Sequence, residues 1–103
     1  MYVVVMFLYF FAIVRPTITS KSKGKVTIVE GNVLYLFYEA EGNPKPLVTW
    51  RKSGRVLQSS ISKTELIIQE VSDNEAGIYK CEVSNSAGTV TYTVEVTIKS
   101  KVT

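Results

Sequence analysis

The chain has 103 residues, 46% of them hydrophobic, which is enough for one domain around a single core and leaves no room for a second. Its 12 Lys plus Arg against 9 Asp plus Glu give a formal charge of +3, too mild and too evenly spread for a nucleic-acid binder that lives on phosphate contacts. There is no His, a single Cys, and no Gly-rich run ahead of Lys-Ser or Lys-Thr, so the parts for a His-based triad, a zinc cluster or a phosphate loop are missing. The reading is a non-enzymatic module with no catalytic residue, metal, cofactor or small-molecule substrate.

Tyr2 to Val14 carry no charge, Gly or Pro. A membrane-spanning helix needs about 20 such residues, whereas the apolar region of a secretory signal runs to about 7–15. Residues 1–20 therefore read as a signal peptide or hydrophobic leader, with small residues Thr17, Thr19 and Ser20 placing a cut near residue 19 or 20. The positive charge usual before the apolar stretch is missing, and Arg15, Lys21, Lys23 and Lys25 follow it, a pattern that also suits an uncleaved anchor. Membrane association is expected only in that case. Residues 21–25 read as a solvated basic lead-in, so ordered structure is expected to begin near Val26 and to run to residue 99, with 100–103 as a tail.

From Val26 onward the pattern has period two, the mark of strands with one buried face. In Thr89 to Ile98 every even position is apolar and every odd one is Thr or Glu, which puts Val90, Tyr92, Val94, Val96 and Ile98 on one side of a strand. Similar alternation runs through Leu34, Leu36, Tyr38 and Ala40, through Leu66 and Ile68, and through Tyr79, Cys81 and Val83. The spacing predicts strands over 25–29, 32–40, 47–52, 64–69, 77–84 and 89–99, an irregular piece over 55–61 and a helical turn within Ser72–Ala76. Turn chemistry separates them, at Glu30-Gly31-Asn32, Gly42-Asn43-Pro44-Lys45-Pro46, Ser53-Gly54, Ser72-Asp73-Asn74 and Asn85-Ser86-Ala87-Gly88. That recurrence fits an all-β antiparallel sandwich.

Several motifs share one register. Glu30-Gly31 precedes the second strand; Ala40-x-Gly42-x-Pro44-x-Pro46 leads into Val48-Thr49-Trp50-Arg51-Lys52; Leu66-x-Ile68 follows; then come Glu75-Ala76-Gly77-Ile78-Tyr79-Lys80-Cys81 and Asn85-Ser86-Ala87-Gly88. Over residues 26–99 the chain resembles the immunoglobulin superfamily, within it the I-set type of cell-adhesion and receptor proteins. The resemblance implies a Greek-key sandwich of two antiparallel sheets with Trp50 in the core, Leu66 on the fifth family strand, and Tyr79 as a tyrosine corner bonding upstream backbone. It also implies that Tyr38 stands where the family has its first cysteine, so Cys81 has no disulfide partner. Tyr38 is expected to fill that space and to send its hydroxyl toward the rim, and Cys81 to be an inert buried thiol.

If Leu34, Leu36 and Tyr38 face inward, Tyr35 and Phe37 face out, and Ile67 does the same between Leu66 and Ile68. In this family those strands neighbour each other in the A-B-E-D sheet, so Tyr35, Phe37 and Ile67 are the candidate partner-binding residues. The functional expectation is an extracellular or cell-surface protein-binding module of the adhesion or receptor type, with a protein partner or self-association. The alternative is an intracellular structural domain of the titin-like muscle type, cytoplasmic, which the scarcity of cysteine suits.

Overall fold

The computed structural model describes residues 12–101. Its strands are β1 (Val14–Lys21), β2 (Lys25–Val29), β3 (Leu34–Asn43), β4 (Leu47–Lys52), β5 (Arg55–Ile61), β6 (Lys63–Ile68), β7 (Gly77–Asn85) and β8 (Gly88–Lys99), with a 3-10 turn at Asp73–Glu75. They form two sheets, ordered β1-β3-β6 and β2-β8-β7-β4-β5. β2 runs parallel to β8, pairing Lys25 with Glu95 through to Val29 with Lys99, while the other described pairs are antiparallel. The result is an all-β immunoglobulin-like sandwich.

Period two dictates what lies between the sheets. Leu34, Leu36, Tyr38 and Ala40 of β3 and Leu66 of β6 meet Val48 and Trp50 of β4, Tyr79, Cys81 and Val83 of β7, and Val94 and Val96 of β8. Trp50 is wholly buried and stands opposite Cys81 in the β4–β7 register. Burying a large apolar side chain contributes about 1.5–3 kcal/mol, so this layer outweighs any surface contact in holding the sheets together. The turn ahead of β7 is fixed locally, where the Ser72 amide donates to Glu75 Oε1 at 2.6 Å. The Tyr79 hydroxyl then donates to the Glu75 carbonyl at 2.5 Å, which is the tyrosine corner expected from the motif.

Three findings differ from the expectations. Order begins well before Val26, because Val14–Lys21 is a strand paired antiparallel with β3. The Ser22 amide donates to the Phe37 carbonyl and the Phe37 amide to Ser22 Oγ, and Lys21 Nζ lies 3.9 Å from the Tyr92 ring centre, so Lys21 and Ser22 are tied to the sandwich while Lys23, Gly24 and Lys25 stay exposed. β1 shows no alternation because it is an edge strand with most positions exposed, and an edge admits Pro16. A cut after residue 19 or 20 would sever it; residues 1–11 of the apolar run lie outside the described residues.

The second difference is β5. The segment expected to be irregular is a strand on the edge of β4, pairing Leu47 with Ile61 through to Lys52 with Arg55, with a bulge after Trp50. Only Leu57 of it packs on the core, which hides its period. Because β5 holds to β4 up to Ile61 and β6 starts at Lys63, Ser62 alone, at φ 64°, carries the chain from one sheet to the other. No fourth strand joins β6, so the expected A-B-E-D sheet has three strands among the described residues.

The third concerns Tyr38. Its ring fills the core as expected, but its hydroxyl is buried with no hydrogen-bond partner among the described residues, like Trp50 Nε1 and Thr64 Oγ1. Tyr38 and Thr64 are opposite each other in the β3–β6 register. The inward pleat carries the phenol into the core rather than along the strand to the rim, as the alternation of β3 requires.

Candidate interaction face

Tyr35, Phe37 and Ile67 are brought together on the outer side of the three-stranded sheet. Tyr35 is opposite Ile67 and Phe37 opposite Glu65 in the β3–β6 register. Successive outward positions on one strand lie within reach of each other, and the Tyr35 and Phe37 rings stand 5.6 Å apart, tilted by 30°. Tyr35 and Ile67 are 45% and 53% exposed, and Phe37 is half-buried. Cross-strand pairs of this kind stabilise a sheet by about 0.2–1 kcal/mol each. Burying such a side chain entirely from full exposure is worth about 1.5–3 kcal/mol, and at these exposures roughly half of that remains available at Tyr35 and Ile67 in the isolated domain.

The rim is acidic. Glu65 accepts a hydrogen bond from the Tyr35 hydroxyl, which together with desolvation holds that phenol above its ordinary value. Glu39 stands opposite Lys63, and Glu41 is exposed at the far end of β3. Val33, 46% exposed, precedes the strand two residues ahead of Tyr35. Sequence reasoning missed Val33 and the Glu rim; the signal was in the same odd positions that revealed Tyr35 and Phe37.

The outer side of the other sheet is different in kind. β8 offers Thr89, Thr91, Thr93, Glu95 and Thr97 there, all exposed. The Arg51 guanidinium pairs with Glu82, and the Thr49 and Ser59 hydroxyls are 2.9 Å apart. Its exposed apolar residues are dispersed, with Leu47 beside Ile61 at one end and Val56 and Ile78 elsewhere. The residues expected in the core, Tyr38, Trp50, Leu66, Tyr79 and Cys81, are all buried. Burial, aided by Glu82, pushes the Cys81 thiol up to about 12, which suits an inert thiol rather than a nucleophile.

The sequence model of the immunoglobulin I-set domain matches residues 16–98. The chain belongs to the immunoglobulin I-set family. This I-set chain is 33% identical over 84 residues to myelin-associated glycoprotein of Mus musculus, covering 81% of the chain and 13% of that protein. It is 37% identical over 90 residues to neural cell adhesion molecule L1-like protein of Homo sapiens, covering 82% of the chain and 7% of that protein. It therefore spans a small fraction of the curated relatives it matches. Among solved structures, a chimeric titin Z1Z2 superposes with a TM-score of 0.75 at 25% identity, covering 88% of this chain and all of that one. Titin domain M7 superposes with a TM-score of 0.71 at 27% identity, covering 85% and 97% of the two chains. The family match begins at Pro16, inside β1, so the I-set unit takes in the strand that the leader reading had cut.

Proposed function

We propose that this I-set domain is a non-enzymatic protein-binding module of the extracellular adhesion type, and that it meets its partner through the outer side of β3 and β6. The observation that carries the reading is the adjoining Tyr35, Phe37 and Ile67 cluster, two aromatics and a branched aliphatic in one place. Scattered exposed apolar residues need no explanation, whereas a contiguous group marks an interface, and aromatic anchors dominate binding energy. Similarity to adhesion-type relatives supports the compartment. The test is binding of the tagged chain to intact cells, compared with Phe37→Lys. Loss of binding by a folded variant supports the reading, and undiminished binding removes this face.

A second reading, an intracellular structural domain of the titin-like type, draws on the unpaired, buried Cys81. A family fold that dispenses with its disulfide suits a reducing compartment. Recovery of the protein from the cytosol, in a chain with neighbouring repeats, would favour it over the adhesion reading.

A further inference from the structure

The three-stranded sheet ends on β6, whose far edge has no strand beside it among the described residues because β5 stays on β4. Which residues of β6 offer their backbone to that edge follows from two bonds. The Ala40 amide donates to the Ser62 carbonyl, so the pairs of even-numbered β6 residues, Thr64 with Tyr38 and Leu66 with Leu36, are the ones that exchange main-chain bonds with β3. Phe37, opposite Glu65, spends its own amide and carbonyl on Ser22 on the other side. The N–H and C=O groups of Lys63, Glu65 and Ile67 therefore point to the open edge.

We propose that this edge pairs with the same edge of a second copy, antiparallel about a two-fold axis through Thr64, setting Lys63 of each chain opposite Glu65 of the other. The charges select that register. A shift that puts Glu65 opposite Glu65 sets like charges face to face, which is destabilising. One that centres on Leu66 places Glu65 against Ile67 and Lys63 against Gln69, past the end of the partner's β6, so neither charge meets its opposite. Centring on Thr64 pairs both charges of each chain with their opposites, and each Lys63–Glu65 pair exchanges main-chain bonds as well. Lys63 alone would blunt the edge; Glu65 two residues on makes it self-complementary under the two-fold operation. The axis stands perpendicular to the sheet, so the two copies form one continuous sheet with both Tyr35, Phe37 and Ile67 clusters on the same side. The pairing does not depend on what those clusters bind.

The experiment is residue-resolved amide hydrogen exchange on the 103-residue chain over a range of concentrations, for the parent, Lys63→Glu, Glu65→Lys and the double swap. Both side chains are exposed, so the fold is retained, with unchanged exchange at Tyr38 and Cys81 as its check. Exchange at Lys63 and Glu65 should slow about tenfold or more with rising concentration in the parent. Each single variant should lose that protection and the double swap regain it, since the charge pairs are restored. In the unmodified chain, molar salt should weaken the protection by screening the pairs. Parent exchange independent of concentration, or protection that either single variant keeps, would overturn the proposal.

Discussion

Tyr38 on β3 and Cys81 on β7 meet in the core from opposite sheets, each with no exposed surface. The resemblance to the I-set type implies a cysteine pair at these two positions. A tyrosine ring, in contact with Tyr92 at 5.9 Å between ring centres, has taken the place of the bridge. Stability here comes from packing a large side chain rather than from constraining the unfolded chain.

Tyr38→Cys should form a disulfide with Cys81 on oxidative folding. The oxidised variant should be about 2–4 kcal/mol more stable than its own reduced form. The reduced form should fall about 2–5 kcal/mol below the parent, because the lost ring leaves a cavity. Thiol titration and urea unfolding of both forms measure this; two persistent free thiols in the folded variant would contradict the placement.

Tyr38→Phe should leave stability unchanged or raise it by up to about 1 kcal/mol. The substitution keeps the ring and removes a buried hydroxyl that has no partner among the described residues, a group that costs about 1–3 kcal/mol to bury. A urea midpoint clearly below the parent's would show that the hydroxyl is satisfied in solution.

Stability should also fall in alkali. Desolvation first, with neighbouring groups adding to it, pushes the Tyr38 phenol from 10.0 up to about 12 and the Cys81 thiol from 9.0 up to about 12. In the unfolded chain both groups release their protons earlier, so between about pH 9 and 12 the native state holds more protons and ΔG of unfolding falls with rising pH. Their contribution is intact below about pH 9. The urea midpoint followed from neutrality to pH 12 should be flat and then decline, and a Tyr38→Phe, Cys81→Ala double variant should decline less.

A chain starting at Lys21 should be markedly less stable than one starting at Ala12. Without β1, β3 loses the partner that meets it from Val14↔Asn43 to Lys21↔Tyr38, and Asn85 Nδ2 loses its bond to the Val14 carbonyl. Comparing the thermal midpoints of the two chains checks this; equal midpoints would show that β1 adds nothing.

How much could be read beforehand followed from burial. β2 and β4 lie where they were expected, and β8 to within a residue; β8 turns alternate positions inward, with Val94 and Val96 buried and Val90, Tyr92 and Ile98 half-buried, which makes its period visible. Trp50, Tyr79 and Cys81 were legible for the same reason. β1 and β5 were not, since β1 buries only Pro16 and β5 half-buries only Leu57, too little to leave a period, and their pairing is set by residues far along the chain. The fate of the Tyr38 hydroxyl depends on what surrounds it from both sheets, which no local pattern encodes. Tyr35, Phe37 and Ile67 were legible as outward residues, but their acidic rim emerged only once Glu65 was seen opposite Phe37 and bonded to Tyr35.

The central claim is that one side of the sandwich does the binding. It is tested most directly by placing a lysine on each outer face, Ile67→Lys on β6 and Thr93→Lys on β8, both at exposed positions, and measuring cell binding of the two folded variants beside the parent. The account predicts a loss of about tenfold or more for Ile67→Lys and binding within about twofold of the parent for Thr93→Lys, as expected of a change outside the interface. Binding abolished by Thr93→Lys and kept by Ile67→Lys would contradict it.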